Sequence, residues 1–592
     1  MILQSLVDYY EALAAHGGIA RPGWGKTKIA FALELDENGA LTRVLPLATQ
    51  SADGKKSVPQ TKDLPAPVKR TVGIDANFLW DNSAYLLGVD GKGKPDRAKD
   101  CFKAAKALHL SLLSALDDPF AKAVCRFFET WEPDRAADAP ALADSIDDIL
   151  KGANLTFLFD GQFPNEDDAL CRVWQAHYDG SGDGKTMRCL VTGEEVVPAK
   201  IHPAIKNVSG AQSSGAALVS FNAEAFCSYE REQNLNAPVG KYAAFAYTTA
   251  LNTLLADRDH VCRFGDTTVV FWAENAEPAY QTAFVDFLNG GEEKVTDKEL
   301  QGCMDDLAHG RQTLWENVPL HPENRFFILG LAPNAARLSV RFFLQNDFGK
   351  FAKNVQKHYE DIRVVTDNRS KWETLSLWAL LLETVKDDKT KSISERMKKL
   401  PPHLAGDTVG SILSGGRYPA TLYGQNLLRI KTEREVTMGR AGIIKAYLLR
   451  NTDRPEYKEA AKVSLNEQCE AEPYLLGRLF SLLENIQNSA TGATTVKDSF
   501  FSSACATPAV AFPQLLKLEK SHMKVLKREK PGLAVTLDTE LVKLMDKLGC
   551  EFPKHLLLPE QGEFMLGYYH QTQKRFEKKD KANAAETMKE GN

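Results

Sequence analysis

The sequence predicts an α+β protein with a mixed α/β N-terminal region (1–325), a largely α-helical middle region (326–488) and a C-terminal helical bundle (489–592). Short runs in the first region alternate apolar and polar residues, which is the period of a β-strand. From Trp372 onward, apolar residues recur every three or four positions, which is the period of an amphipathic helix. A chain of 592 residues is also long enough for roughly three or four domains.

The first segment, MILQSLVDYYEALAAHGG, has the pattern of an amphipathic helix. It carries Asp8 and Glu11 and no early Lys or Arg, whereas a secretory signal peptide begins with positive charge. The run IAFALEL then alternates from Ile29 as a strand, turns at Asp36–Gly39 and returns as a partner strand in ALTRVLPL. These patterns predict an N-terminal helix followed by a β-hairpin.

Two Gly-Lys-Thr fragments, GWGKTK at 23–28 and GDGKT at 182–186, could suggest a nucleotide-binding loop. That loop needs a glycine five positions before its Gly-Lys pair and a helix after it. Ala20 and Asp179 occupy those positions, and both fragments continue with an extended pattern. We therefore predict two Gly/Lys turns and no ATPase site.

The segment from Ser51 to Arg70 holds three prolines and shows no hydrophobic periodicity. A structureless loop of this length is uncommon inside a domain and is usually functional or disordered. Its basic residues outnumber its two aspartates, and they are Lys55, Lys56, Lys62, Lys69 and Arg70. This basic loop is a local excess of positive charge of the kind that phosphates attract.

Further along, the patterns predict helices between about Asp96 and Trp131, a helix at Tyr242–Leu255 and a strand at Thr267–Ala273. We also predict a helix after Pro333, which would place five basic residues on one face, namely Arg337, Arg341, Lys350, Lys353 and Lys357. Four phenylalanines between them would pack in the core, namely Phe342, Phe343, Phe348 and Phe351. Gly/Pro breaks are predicted at Gly406–Arg417 and Ser489–Thr495.

A second basic face is predicted near the C-terminus. Its lysines recur at three and four positions, which places them on one side of a helix, and they are Lys517, Lys520, Lys524 and Lys527. Arg528 and Lys530 extend this basic helix face before Pro531-Gly532 ends the helix. The last 97 residues hold 16 Lys and Arg against 13 Asp and Glu, although the whole chain carries a net charge of −5. A solvated face and a groove for a polyanion are both consistent with this pattern.

Several classes of protein are disfavoured by composition. No run of 18 or more apolar residues is present, so no transmembrane helix is expected. The ten cysteines are scattered without a C-x-x-C pair, which predicts isolated thiols such as Cys171 and Cys189 in a reducing cytoplasm and no zinc site. The paired carboxylates Asp167–Asp168 and Asp305–Asp306 have the character of solvated positions. We expect no catalytic residues, no metal and no cofactor.

Five blocks of the sequence together resemble a known family. They are MILQSLVDYY, TVGIDANFLWDNSAYLLG, IHPAIKNVSGAQSSGAALVSFN, NAPVGKYAAFAYTTALN and ILGLAPNAARLSVRFF. In this order, and from Met1 into the C-terminal helices, they resemble the large subunit of the type I-C CRISPR surveillance complex, Cascade. Long blocks in a fixed order are far more specific than a short motif.

The resemblance implies a non-catalytic DNA-recognition subunit in antiviral defence. Such a subunit would recognise the protospacer-adjacent motif (PAM) on duplex DNA, start strand separation and help to recruit a helicase-nuclease. The implied partners are guide RNA, a backbone subunit, a subunit that holds the guide 5′ end, and a small subunit. The C-terminal bundle would resemble that small subunit, which could also arise by internal translation from a start at Met438 or near Val463 or Leu465.

Within the family blocks, residue type suggests which side chains read or hold DNA, because amides read base edges and lysines contact phosphates. The PAM- and DNA-binding candidates are Lys55, Lys56, Lys62, Lys69, Asn77, Asn82, Lys206, Gln212, Ser213, Ser214 and Asn222. The candidates for binding the displaced strand are Lys517, Lys520, Lys524, Lys527 and Arg528. For each polar candidate a turn or helix-cap hydrogen bond is the alternative role.

Two alternative functions remain at this point. One is a nuclease or nucleotide-dependent enzyme whose site is assembled from distant residues, because such sites leave no local motif. The other is a generic RNA-binding scaffold, which would prefer guide RNA to duplex DNA and would be indifferent to the PAM.

Overall fold

The computed structural model describes most of the chain, in the ranges 2–15, 19–50, 57–68, 70, 73–91, 93–180, 186–289, 297–366, 375–388, 390–401, 403–549 and 551–590. Two compact units are present. Unit 1 consists of Met1–Pro203 and Val219–Thr253, and unit 2 of Ala204–Leu218 and Leu254–Asn592. The predicted α+β class is confirmed, since sheets occur in both units and helices dominate the C-terminal half.

Unit 1 combines short strands with helices. Its helices are α1 (Ile2–Ala15), α2 (Ser83–Leu86), α3 (Pro95–Leu113), α4 (Pro119–Thr130), α5 (Ile146–Leu150), α6 (Asp168–Gly180) and α7 (Lys241–Ala256), whose last residues enter unit 2. Its strands are β1 (Trp24–Ile29), β2 (Phe31–Leu35), β3 (Leu41–Pro46), β4 (Thr49–Gln50), β5 (Ser57–Val58), β6 (Gln60–Pro65), β7 (Trp80–Asn82), β8 (Asn154–Phe159), β9 (Met187–Arg188) and β10 (Glu195–Val196). Short 3₁₀ turns lie at Pro133–Asp138, Pro140–Leu142, Pro164–Glu166, Glu224–Phe226 and Gln233–Asn236.

A four-stranded sheet in the order β3-β2-β8-β7 forms the centre of unit 1. The pair β2–β8 is parallel and the other two pairs are antiparallel. The predicted hairpin is confirmed, since β2 pairs with β3 through the Asp36–Gly39 turn. Apolar side chains of α3 and α4, including Phe102 and Phe128, belong to the same buried core as Phe157 of β8.

Unit 2 contains a second sheet and most of the helices. Its strands are β11 (Val261–Phe264), β12 (Thr267–Ala273), β13 (Thr313–Trp315), β14 (Val318–Leu320), β15 (Arg325–Asn334) and β16 (Arg337–Asp347). Its helices are α8 (Ala279–Asn289), α9 (Asp297–Ala308), α10 (Phe348–Ile362), α11 (Leu377–Leu382), α12 (Ile393–Met397), α13 (Leu404–Ser414), α14 (Ala420–Glu433), α15 (Met438–Asn451), α16 (Pro455–Ala460), α17 (Glu472–Thr491), α18 (Thr495–Ala506), α19 (Pro508–Glu529), α20 (Pro531–Leu548) and α21 (Leu558–Glu590), and a 3₁₀ turn lies at Arg258–His260. The sheet is antiparallel in the order β11-β12-β15-β16, and β13 pairs with β14.

The predicted helix after Pro333 is wrong, because the chain turns at Ala335 (φ 51°) and returns as β16 against β15. Helix α10 begins only at Phe348. Arg337 and Arg341 therefore lie on a strand and share no helix face with the three lysines of α10. Arg341 is also neutralised by Asp266, with 2.9 Å between Nη2 and Oδ2.

The predicted core phenylalanines divide into two pairs. Phe348 and Phe351 of α10 are fully buried. Phe342 and Phe343 of β16 are half-buried. Neighbouring strand residues point to opposite faces of the sheet, so Phe342 packs against the core of unit 2 whereas Phe343 lies beside the rings of Trp272 and Phe327.

The predicted Gly/Pro break at Ser489–Thr495 is confirmed, whereas the one predicted at Gly406–Arg417 is largely helical. Helix α13 runs through most of Gly406–Arg417, where Gly406 allows close packing, because a Cβ there would lie 2.7 Å from Thr267 Oγ1. Helix α17 continues to Thr491 and ends at the left-handed Gly492 (φ 70°). The predicted domain boundary at residue 489 thus falls inside α17, and the three-region division stays a prediction.

Helices α17 and α21 pack together through glycines. A Cβ on Gly477 would lie 1.9 Å from the carbonyl oxygen of Phe564, and one on Gly567 would lie 2.1 Å from that of Tyr474. Because both obstacles are backbone atoms, the two helices can approach this closely only without side chains at these positions. The contact is surrounded by a buried core that includes Leu476 and Phe480.

One carboxyl group is buried inside this helical bundle. Glu563 of α21 is only 2% exposed, and its Oε1 has no hydrogen-bond partner among the described residues. Burial, together with the negative charges of Glu560 and Glu456, raises the pKa of Glu563 to about 8. Glu563 is therefore protonated at neutral pH.

Within the described ranges, no helix is both long and apolar enough to cross a lipid bilayer.

Candidate nucleic-acid interface

The basic loop is largely a β-ribbon in its described part, so the prediction of a structureless segment is wrong there. Strand β6 pairs antiparallel with β1 along its whole length, and β5 pairs with β4. The loop offered no hydrophobic periodicity because a two-stranded ribbon has little core to pack against. Lys55, Lys56 and Lys69 lie outside the described residues, so their predicted contacts are neither supported nor contradicted.

The exposed face of this ribbon is basic. Lys26 and Lys28 of β1 are exposed, whereas Thr27 between them is buried. Their register partners are Asp63 and Thr61, so Asp63 is the one acidic residue opposite two lysines. Burial raises the pKa of Asp63, although the positive charges of Lys26 and Arg21 act in the opposite direction.

Lys62 occupies the other face of the ribbon. Its Nζ lies 3.3 Å from the centroid of the Phe163 ring, which is a cation–π contact. The side chain is half-buried, so Lys62 both anchors β6 and remains partly accessible to a ligand.

The block around Trp80 supports the ribbon from inside. Trp80 donates from Nε1 to the carbonyl of Pro65 at the end of β6 (2.7 Å). Asp81, 1% exposed, accepts from the backbone N–H groups of Asn77 (3.0 Å) and Asn82 (2.8 Å). Asp81 also pairs with Arg70, whose guanidinium lies over the Tyr85 ring. Arg70 is therefore committed to an internal ion pair.

The two asparagines predicted as base readers are used internally. Asn77 is buried, and its Oδ1 accepts from Val68 N (2.8 Å). Asn82 is the N-cap of α2 and accepts from Ala84 N (3.0 Å). Both side chains hold the loop and helix that flank Trp80, which is the alternative role considered for them.

The second family block forms an exposed turn in unit 2. Lys206, Gln212, Ser213, Ser214 and, in unit 1, Asn222 are all exposed. The turn is closed by an Ile205–Ala216 bridge, and Ser209 N donates to Thr268 Oγ1 (3.1 Å). Gly215 adopts φ 96°, and a Cβ there would lie 2.8 Å from the Ala204 side chain, so only glycine suits this position.

The predicted basic helix face near the C-terminus is present on α19. Lys517, Lys520, Lys524, Lys527 and Arg528 are all exposed. Lys527 pairs with Asp538 (3.1 Å) and Arg528 with Glu529 (2.8 Å), which lowers the effective charge of that end. Among the described residues, no carboxylate pairs with Lys517, Lys520 or Lys524, so the positive charge is concentrated in the middle of the helix.

Nothing in the described ranges brings three potential metal ligands together. Cys189 is buried and accepts from the backbone N–H of Gly240 (3.3 Å), and Cys171 is half-buried. Asp305 and Asp306 both pair with Arg311.

Residues 6–576 match the family described as CRISPR-associated protein (Cas_Csd1), which is nearly the whole chain. The protein belongs to the Csd1 family. This membership confirms the resemblance found in the five sequence blocks and gives the chain a role in CRISPR defence. The comparison with curated proteins finds no match.

In this Csd1 protein, sequence reasoning overlooked Lys26 and Lys28. They belong to the Gly-Lys-Thr fragment that was predicted as a turn, and the structure shows strand β1 instead. The alternation of exposed lysines with Thr27 and Ile29 was a usable signal, because period-two patterning marks a strand with one solvated face. The second fragment lies almost entirely outside the described residues.

Proposed function

We propose that this Csd1 protein is the non-catalytic large subunit of a type I-C Cascade complex, which recognises the PAM on duplex DNA and starts strand separation. Family membership supports the assignment to CRISPR defence. The proposed partners are guide RNA, the backbone subunit, the guide 5′-end subunit, the small subunit and a helicase-nuclease recruited afterwards. The complex would act in the cytoplasm.

The observation that carries the proposal is the basic β-ribbon. A two-stranded ribbon fits the major groove of B-DNA, and exposed lysines can contact the flanking phosphates. Lys26 and Lys28 occupy that exposed face, and the segment between β4 and β5 contains Lys55 and Lys56. Guide pairing carries most of the sequence information in such complexes, so the protein needs to read only a few base pairs.

Base reading is assigned to the exposed turn of unit 2. Gln212 presents an amide at its surface, and Lys206 adds a positive charge. An amide can make a bidentate contact to adenine in the major groove. Asn77 and Asn82 hold the neighbouring backbone instead, so in our proposal they position the ribbon.

The α19 face is proposed to bind the displaced strand, because positive charge can follow a phosphate backbone without reading its sequence. A small-subunit product starting near Val463 or Leu465 would retain all of α17. A product starting at residue 489 would lose most of that helix and with it the Gly477 contact.

Removing the two ribbon lysines (Lys26→Ala/Lys28→Ala) is expected to weaken binding to PAM and non-PAM duplexes equally. Phosphate contacts are independent of sequence, and the slope of log K against log salt should flatten by about 1.8 for two lost contacts. Fluorescence anisotropy over a salt series measures this slope. The matched control is Lys103→Ala/Lys151→Ala, which removes two exposed lysines outside the ribbon.

An unchanged slope in the ribbon variant, or an equal change in the control, would contradict the ribbon assignment. Incubation of the purified chain with the same duplexes and Mg²⁺ tests the nuclease alternative, since cleavage of the DNA would favour an enzyme. Tighter binding to guide RNA than to duplex, without PAM preference, would favour the scaffold alternative.

Gln212→Ala is expected to reduce discrimination between PAM and non-PAM duplexes while leaving the salt slope unchanged. A lost bidentate amide contact corresponds to about 1–3 kcal/mol of discrimination. Competition binding with the two duplexes measures it, and Gln233→Ala, an exposed glutamine elsewhere, serves as the control. Unaltered PAM preference would exclude Gln212 as a reader.

A further inference from the structure

Unit 2 contains an open cleft of about 700 Å³ whose lining includes none of the predicted site residues. Its floor is apolar and includes Leu255, Val261 and Val285. Its polar lining includes Arg258 and Arg263, with Asn207 contributing an amide. Pockets for small ligands usually occupy roughly 300–1,000 Å³ and combine an apolar lining with a few polar groups, and this cleft has that character.

The two arginines give the cleft a positive rim. Both side chains are exposed, and among the described residues neither forms an ion pair. The carboxylate of Asp257 also lines the cleft, but it lies 3.1 Å from His260 Nδ1 and accepts from Asp259 N (3.0 Å). The Asp257 carboxylate is thus held by contacts within its own turn. The guanidinium groups of the two arginines are available to bind an anion.

An aromatic wall completes the cleft. Trp378 of α11 lines it and stacks on Phe264 of β11, with 4.7 Å between the ring centroids and 22° between the planes. This stacking fixes the orientation of the half-buried indole. A fixed indole beside two arginines is the combination that proteins use to hold a base and its phosphate.

We propose that this cleft binds one nucleotide of a single-stranded nucleic acid, with the base against Trp378 and the phosphates on Arg258 and Arg263. The inference rests on the proposed function, because a protein that opens a duplex encounters unpaired strands. Asn207 provides an amide that can bond the edge of an unstacked base. DNA and RNA share this chemistry, so the displaced strand and the guide are both sources of the nucleotide.

The test uses the full-length chain and 12-nucleotide DNA and RNA strands that carry 2-aminopurine, whose fluorescence reports stacking. Arg258→Ala/Arg263→Ala is expected to flatten the salt slope by about 1.4, because each single-strand phosphate contact contributes about 0.7. The control Arg188→Ala/Arg231→Ala removes two exposed arginines of unit 1 and is expected to leave the slope unchanged.

Trp378→Leu is expected to weaken binding to the single strands about 10-fold and to abolish the fluorescence change that reports stacking. Trp378→Phe is expected to keep most of the affinity and most of the fluorescence change. Thermal melting of each variant confirms that it is folded. Weaker binding of the variants to DNA alone assigns the site to the displaced strand, and weaker binding to RNA alone assigns it to the guide.

The proposal is overturned if the wild-type chain binds neither strand, or if the arginine and Trp378→Leu variants bind both strands as the wild type does. Duplex binding is measured in parallel with PAM and non-PAM sequences. PAM-dependent duplex binding together with unaffected single-strand binding in the variants rejects the cleft and leaves the proposed function standing. Absence of PAM-dependent duplex binding rejects the proposed function itself.

Discussion

Replacing Gly477 by alanine is expected to destabilise the C-terminal bundle by about 3 kcal/mol. The new methyl group would lie 1.9 Å from the Phe564 carbonyl oxygen, so α17 and α21 would have to separate. Alanine favours a helix over glycine by about 1 kcal/mol, which offsets only part of this cost. Separating the two helices also opens space in the core around Leu476 and Phe480, so these side chains lose van der Waals contacts.

Gly424→Ala in α14 is the matched control. Gly424 is also in the interior of a helix of unit 2, but apart from the adjacent residues and backbone of its own helix no atom lies within 4 Å of the position that an alanine methyl group would take there. This change is therefore expected to be neutral or to stabilise the protein by up to about 1 kcal/mol. Urea unfolding followed by circular dichroism measures both variants. Equal stability of Gly477→Ala and the wild type would show that the two helices do not pack through this glycine.

Glu563→Gln is expected to stabilise the protein at pH 8 by on the order of 3 kcal/mol and to have little effect at pH 5. The folded protein keeps Glu563 protonated up to a pKa of about 8, whereas in the unfolded chain the pKa is near 4.5. Unfolding therefore releases a proton between these two values, and the stability of the folded state falls as the pH rises through this window. Glutamine is always neutral, so it removes this dependence.

The measurement is the free energy of unfolding of both proteins at several pH values between 5 and 8.5. Taking the difference between variant and wild type cancels the contributions of other titrating groups, among them Lys445, whose pKa is lowered to about 8 by burial. A difference that does not change with pH would mean that Glu563 is ionised in the folded protein.

Much of the fold could be predicted from sequence in long segments whose apolar residues keep one spacing throughout. Helix α7 and strand β12 lie where the sequence placed them, because their apolar residues follow one unbroken pattern. β16 was mistaken for a helix, since Ala335, Ala336 and Arg337 favour helices locally. The pairing of β16 with β15 decided its structure instead, and that pairing is tertiary information.

The candidate site was only partly accessible from sequence. Residue type selected Asn77 as a base reader, but residue type does not reveal burial, and Asn77 is almost fully enclosed. Arg70 looked like a phosphate ligand until the structure placed Asp81 beside it. The cleft beside Trp378 joins segments more than 100 residues apart, so no local motif could reveal it.

The interleaving of the two units has a consequence for biosynthesis. The segment that carries Lys206 and Gln212 belongs to unit 2, although the chain returns to unit 1 directly after it. Ala217 pairs with Arg337, which the ribosome adds 120 residues later, at a rate of about 5–20 residues per second. The turn assigned to base reading therefore gains its pairing with Arg337 only seconds after the turn itself is synthesised. A nascent chain that is released before β16 emerges from the ribosome has this turn but lacks that pairing.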